Sequence, residues 1–252
     1  MLISLLLALF AWQMLVALGN FPSFILPTPQ QVGQRFLQAV SDGSLLRHTA
    51  VTLAEVLSGL ALGVGVATLL GYLLARSLPL ERLLSPYIVA SQAVPIVAIA
   101  PLLVIWFGPG MFSKVLICAL IVFFPVLINT VVGVRSVPAD LRDLLRALRA
   151  TRWQTLRLLE APAALPVFLG GLRVGATLAV IGAVVGEFVG AKSGLGFLIN
   201  VGRGLYDTAL VFVAVFTLVA LALVLYGLVA GLESHLLAWQ RQPEEHYEES
   251  SL

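Results

Sequence analysis

Six apolar runs dominate this chain, near residues 1–18, 51–75, 88–107, 115–134, 167–189 and 209–232. Each is close to the roughly 20 residues that an α-helix needs to cross a bilayer. Hydrocarbon offers a backbone no hydrogen-bond partners, so such runs must bond internally as helices. The expected fold is therefore an all-α membrane protein with six transmembrane helices. Residues 1–240 read as one transmembrane domain, and 241–252 as a disordered cytoplasmic tail, acidic through Glu244, Glu245, Glu248 and Glu249. With 60% apolar and only 11% charged residues, the composition fits a polytopic membrane protein and no soluble class. The first run lacks a basic flank, so it is expected to be a retained span, not a cleaved signal.

Charge is concentrated in one place. Of fifteen Lys and Arg, six lie in the segment 135–166, between the fourth and fifth runs: Arg135, Arg142, Arg146, Arg149, Arg152 and Arg157. With both termini in the cytoplasm, ten basic residues fall inside. Five fall outside: Arg35, Arg47, Lys114, Lys192 and Arg203. The excess of inner positive charge selects that orientation. Within the segment, Pro138 suits a first helical position. Asp140 and Asp143 complement the positive helix end, and Leu141, Leu144, Leu145 and Leu148 share one helical face. A second short helix is expected from 153 to 160, stopped by Pro162 and Pro166. An amphipathic helix of this kind either rests on the membrane or docks into a groove on a partner. On the outer side, Leu26-Pro27-Thr28-Pro29 reads as a turn. Val32, Phe36, Leu37 and Val40 after it suit an interfacial helix.

Several span residues are candidates for chemistry. Glu55 and Glu187 are ionisable groups inside spans, where they face a cavity or a partner. Glu55 can otherwise reach the outer interface or Arg47, and Glu187 can hold the external turn Ser193-Gly194-Leu195-Gly196. Pro95 frees backbone groups in the third span, and Asn129 is a polar contact near the inner end of the fourth. These four are candidates for lining a translocation pathway. Gly59 and Gly63, and Gly182, Gly186 and Gly190, recur every four residues and make small-residue seams where helices approach closely.

The segment 135–166 resembles the cytoplasmic coupling loop of permease subunits of binding-protein-dependent ABC importers. Asp143-Leu144-Leu145 stands where that family carries Glu-Ala-Ala, and Arg149 where it carries Gly. The continuations Ala150-Thr151-Arg152-Trp153-Gln154 and Pro162-Ala163-Ala164-Leu165-Pro166 match well. Val185-Gly186-Glu187-Phe188-Val189-Gly190 through Gly196 resembles the same family's fifth span, and Leu26-Pro27-Thr28-Pro29 a turn of its nitrate, sulfonate and taurine branch. The stretch from Ser91 to Gly108 is most similar to permeases for riboflavin and for pyrimidine precursors of thiamine. The resemblance implies ATPase contact through Asp143, Leu144, Leu145, Arg146, Leu148, Arg149, Arg152 and Trp153. It implies separate ATPase subunits, an external solute-binding protein and a second permease subunit, in a homodimer, in the bacterial plasma (inner) membrane. It implies a vitamin or vitamin precursor as solute, with sulfonate, taurine or nitrate as the alternative. Arg at 149 resists the positive φ that Gly would allow, so either the turn shifts or one longer helix forms.

The chain carries no GxxxxGK[ST] phosphate loop, no dinucleotide turn and no intramembrane zinc or Ser-centred motif, so it is not read as an enzyme. Cys118 is alone, and His48, His235 and His246 lack metal-ligand spacing. No metal, cofactor or nucleic-acid partner is expected. A stand-alone carrier would need coupling groups near the membrane midplane, whereas Glu55 and Glu187 lie toward the outer ends.

Overall fold

The computed structural model describes residues 2–240, so the expected tail 241–252 lies outside the described residues. Every element among the described residues is helical. An 18-residue helix, α1 (Leu2–Gly19), opens the chain and is apolar on all sides. It is tethered where Trp12 stacks on Phe212 at 5.2 Å and donates its indole N–H to the Pro27 carbonyl at 3.1 Å. The outer helix α2 (Pro29–Ser41) starts at Thr28, whose hydroxyl accepts from the Gln31 amide while the Gln31 side chain accepts from Thr28. It buries Val32 and Ala39 and exposes Phe36, Leu37 and Val40, as an interfacial helix does.

Three long helices form the core: α3 (Ser44–Arg76), α6 (Met111–Arg135) and α9 (Ala161–Phe188), with α11 (Thr208–Leu236) packed against α9. The helix α6 is the central one, gripped by α3 on one side and α9 on the other. Glycines set both approaches. A Cβ at Gly63 would sit 2.7 Å from the Ala119 carbonyl oxygen, and one at Gly182 would sit 2.8 Å from Cys118 Cα. Gly59 and Gly182 face the same residue, Cys118, from opposite sides, and Gly186 faces Lys114. These seams therefore lie inside the subunit, where close backbone approach replaces the missing hydrophobic drive between helices in lipid. Gly190 is a correction: it stands beyond the end of α9 at φ 127 with open space around it, and serves a turn.

The third expected span is also corrected. Residues 88–107 are not one helix but the end of α4 (Leu78–Gln92) and all of α5 (Ile96–Phe107), bent by 94°. Pro95 explains the break: it has no N–H to continue the ladder and pushes Val94 out of the helical region. Among the described residues four helices are long and apolar enough to cross a membrane, or five if the broken pair is one span. The sixth expected span requires α1, whose apolar stretch Leu6–Gly19 is shorter than the others.

The loop after α6 folds as α7 (Ala139–Ala147) and α8 (Arg152–Thr155), then a π-turn (Leu156–Glu160) running straight into α9. Pro162 and Pro166 thus do not stop a helix, contrary to the expectation. Pro162 falls in the first turn of α9, where a missing N–H is tolerated, and the wider π register shifts the ladder, with the Ala161 amide bonding Leu156 O. Arg152–Phe188 becomes one 37-residue rod, about 55 Å long, far more than a bilayer needs. The short helix α10 (Leu195–Gly204) completes the outer side.

Candidate functional site

Ion pairs show which helix ends share a side. Arg76 meets Glu160 at 3.0 Å with the Tyr72 hydroxyl beside them, Arg135 meets Glu81 at 2.5 Å, and Arg173 meets Glu233. At the opposite end Arg35 meets Asp207 at 2.7 Å. The basic 135–160 segment is therefore gathered on one face of the bundle.

On that face the loop is held in shape by its own backbone. Arg142 donates to the Val134 carbonyl at 2.6 Å and pins α7 beneath α6. The turn between α7 and α8 is closed by Arg149 N–H to Arg146 O at 2.9 Å and Ala150 N–H to Leu145 O at 2.9 Å, with Arg149 at φ 53. This is the Schellman pattern that normally ends in glycine. Neither sequence expectation for Arg149 holds: the turn neither shifts nor gives way to a longer helix, and Arg149 itself adopts the left-handed conformation. Thr151 then caps α8, with its partner Gln154 three residues on. That Thr-x-x-Gln spacing was legible as a capping box and the sequence reading overlooked it. Leu144, Leu148 and Trp153 are 54%, 68% and 67% exposed, while Leu145 is half-buried. Asp143 and Arg146 pair at 2.8 Å in open solvent, which contributes little stability. Arg152 is exposed too.

On the opposite side, four elements meet at a buried polar cluster. The ammonium of Lys114 on α6 donates to Glu55 on α3 at 2.6 Å, with side chains 6% and 2% exposed. Thr52 donates to Glu187 Oε1 at 2.7 Å and accepts from the Leu195 amide at 2.8 Å. His48 Nδ1 accepts from the Gly194 amide at 2.9 Å, and the Gly196 amide donates to Glu187 Oε2. Gly194 and Gly196 are required here, because a Cβ at either would strike the Glu187 carboxylate. Glu187 thus holds the external turn, and Glu55 bonds Lys114, not Arg47. Both carboxylates are buried within the subunit and present nothing to open water in this conformation. Lys114, counted from sequence as an outer surface cation, is likewise buried. Its position one residue before an apolar run was the only sign, and His48 and Thr52 carried none.

The remaining pathway candidates separate. Asn129 donates to Pro125 O at 2.8 Å and faces Gly171 on α9, a packing contact. Pro95 is exposed at the α4–α5 break. Among the described residues no group of His, Cys, Asp and Glu is placed to hold a metal.

The comparisons with known proteins agree with this arrangement. Residues 63–237 match the model of the binding-protein-dependent transport system inner membrane component. The chain belongs to that family. It is 52% identical over 238 residues to the riboflavin transport system permease protein RibX of Chloroflexus aurantiacus, covering 94% of this chain and 89% of the relative. It is 37% identical over 219 residues to the formylaminopyrimidine transport permease protein ThiX of Halalkalibacterium halodurans, covering 87% of each. Its fold matches a chain of the inward-facing MetNI methionine ABC transporter with a TM-score of 0.67, at 20% identity, over 77% of this chain and 96% of that one. The protein is an integral membrane permease of ABC transport, a transport component and not an enzyme.

Proposed function

We propose that this permease imports riboflavin or a related vitamin precursor, working as a homodimer whose two subunits enclose one path. Separate ATPase subunits dock on the loop from α7 to α8, and an external solute-binding protein delivers the solute to the opposite face. The chain lies in the bacterial plasma (inner) membrane with six spans and both termini in the cytoplasm. The observation that carries this reading is the loop itself. Leu144, Leu148 and Trp153 stay exposed on a segment capped at both helices and pinned to α6, beyond the spans. Exposed apolar side chains on a preformed, charged rim suit an interface. ATP-driven closure of the ATPase pair would pull the docked loops. Because the π-turn and α9 continue α8 without a hinge loop, the pull would pass into the spans as movement of a rod. The 52% identity to a riboflavin permease supports the solute, and among the described residues Lys114 and Arg173, the basic groups well inside the long helices, are both paired.

The test is co-expression with a candidate ATPase subunit, reconstitution in nanodiscs, and ATP hydrolysis with binding protein loaded with riboflavin, a pyrimidine precursor or taurine. Co-purification with hydrolysis stimulated by the riboflavin-loaded protein is expected. An intact loop that retains no ATPase overturns the coupling reading, and stimulation by taurine alone overturns the solute. Orientation is read separately, by labelling Arg146→Cys from the cytoplasmic side only.

A further inference from the structure

The break between α4 and α5 falls part-way along a helix pair that together is long and apolar enough for one span. Ile96 and Ile99, in the first turn of α5, pack against the same Ala100, Leu103 and Ile117 cluster as Leu116, Leu120 and Ile121 of α6, Val185 of α9 and Val189 just after it. Those α6 residues lie roughly 8–15 Å along the helix from its outer end at Met111, up to about half the thickness of a hydrocarbon core. At this depth the backbone is open. The turn makes only the bonds Ala93 N–H to Ala90 O and Val94 N–H to Ser91 O, so the carbonyls of Gln92, Ala93 and Val94 accept nothing. Ser91 returns its hydroxyl to the carbonyls of Tyr87 and Ile88. Gln92 is exposed, and among the described residues its carboxamide makes no hydrogen bond. Non-helical backbone and a free amide within a hydrocarbon core do not face lipid, since each unmet group would be costly there. They persist where they line a water-filled cavity or are covered by protein.

We infer that this elbow, Gln92 with the open carbonyls of 92–94, is a solute-contacting element of the path. The inference rests on the permease reading above and adds a residue and a chemistry to it. A carboxamide offers one acceptor and two donors, and the neighbouring carbonyls add acceptors without charge. That set suits a neutral ring whose edge carries adjacent N–H and C=O groups, and gives an anion little.

Gln92→Cys tests the placement in the complex with its ATPase, in proteoliposomes. The chain's single cysteine, Cys118, is buried, so the new thiol is the reachable one. A membrane-impermeant methanethiosulfonate should modify Gln92→Cys, riboflavin should slow the reaction, and Leu223→Cys on the exposed face of α11 should not react. Gln92→Leu should raise the KM for riboflavin uptake roughly tenfold, the loss of about one hydrogen bond, with Gln92→Asn intermediate. Modification only by a lipid-soluble maleimide would overturn the inference, as would cross-linking to the second copy without aqueous labelling, or labelling that riboflavin does not slow in a complex that transports it. A wild-type complex that takes up no riboflavin refutes the solute reading instead. Aqueous labelling of Gln92→Cys then still places the elbow on the path.

Discussion

Replacing Lys114 by Met probes the buried cluster that ties α3, α6, α9 and α10 together. The Lys114–Glu55 contact is 2.6 Å, with side chains 6% and 2% exposed. At an effective dielectric of about 20, unit charges at that distance attract by about 6 kcal/mol. Desolvation of both groups offsets most of that, so the pair as a whole adds little net stability. Removing one partner is different. Glu55 keeps its burial and loses its cation, and its Oε2 already lacks a partner. The expected loss is about 3–5 kcal/mol. At roughly 2–4 °C per kcal/mol for a chain of this size, Tm should fall by roughly 6–20 °C. Tryptophan fluorescence melting in nanodiscs reads this directly. The double variant Glu55→Leu with Lys114→Met should recover part of the loss, because the Glu55 charge is no longer stranded and Glu187 keeps its bonds from Thr52 and the Gly196 amide. A single variant that melts with the wild type, or a double variant no better than the single, refutes the argument that the cluster is a compensated buried ion pair.

Three further outcomes follow from particular contacts. Gly182→Leu should cost about 1–3 kcal/mol or prevent folding, because its Cβ meets the Cys118 backbone, which cannot yield. Gly170→Leu, with open space around it, should be tolerated, and size-exclusion profiles separate the two. Arg149→Gly should keep the coupling turn and stabilise it by up to about 1 kcal/mol, while Arg149→Val should weaken it, as read by Tm and ATPase co-purification. Leu148→Glu should leave Tm unchanged, since the side chain is 68% exposed, and should lower ATPase retention about tenfold; undiminished retention would remove Leu148 from the docking face.

Much of the architecture was legible from residue type and order. The long apolar runs had to be helices, since hydrocarbon leaves the backbone no other partner. Their count was less secure at α1, which is short, and at 88–107, where Pro95 and the residue before it break the run. The helix α7 was legible because amphipathic spacing is a local property: Leu141, Leu144 and Leu148 share a face whatever surrounds them. The glycine seams at Gly59, Gly63, Gly182 and Gly186 were legible as seams, but not their partner. Spacing says a helix can come close, and says nothing of which helix does.

What stayed hidden was everything that depends on two distant segments meeting. Lys114 and Glu55 are 59 positions apart, and Thr52 and Glu187 are 135 apart. No periodicity along the chain links such pairs, and only the packing of α3 and α9 on α6 brings them together. The same holds for Arg149. Its intrinsic preference argued against a left-handed turn, yet the hydrogen bonds closing α7 outweigh a strain of about 1–2 kcal/mol. Apolar content and local period thus settle which segments are helices and which of them can enter a membrane. Which polar groups are paired, which are left open at the α4–α5 elbow, and whether a carboxylate holds a turn or faces water depend on how the helices cross, because burial and pairing are properties of neighbours in space.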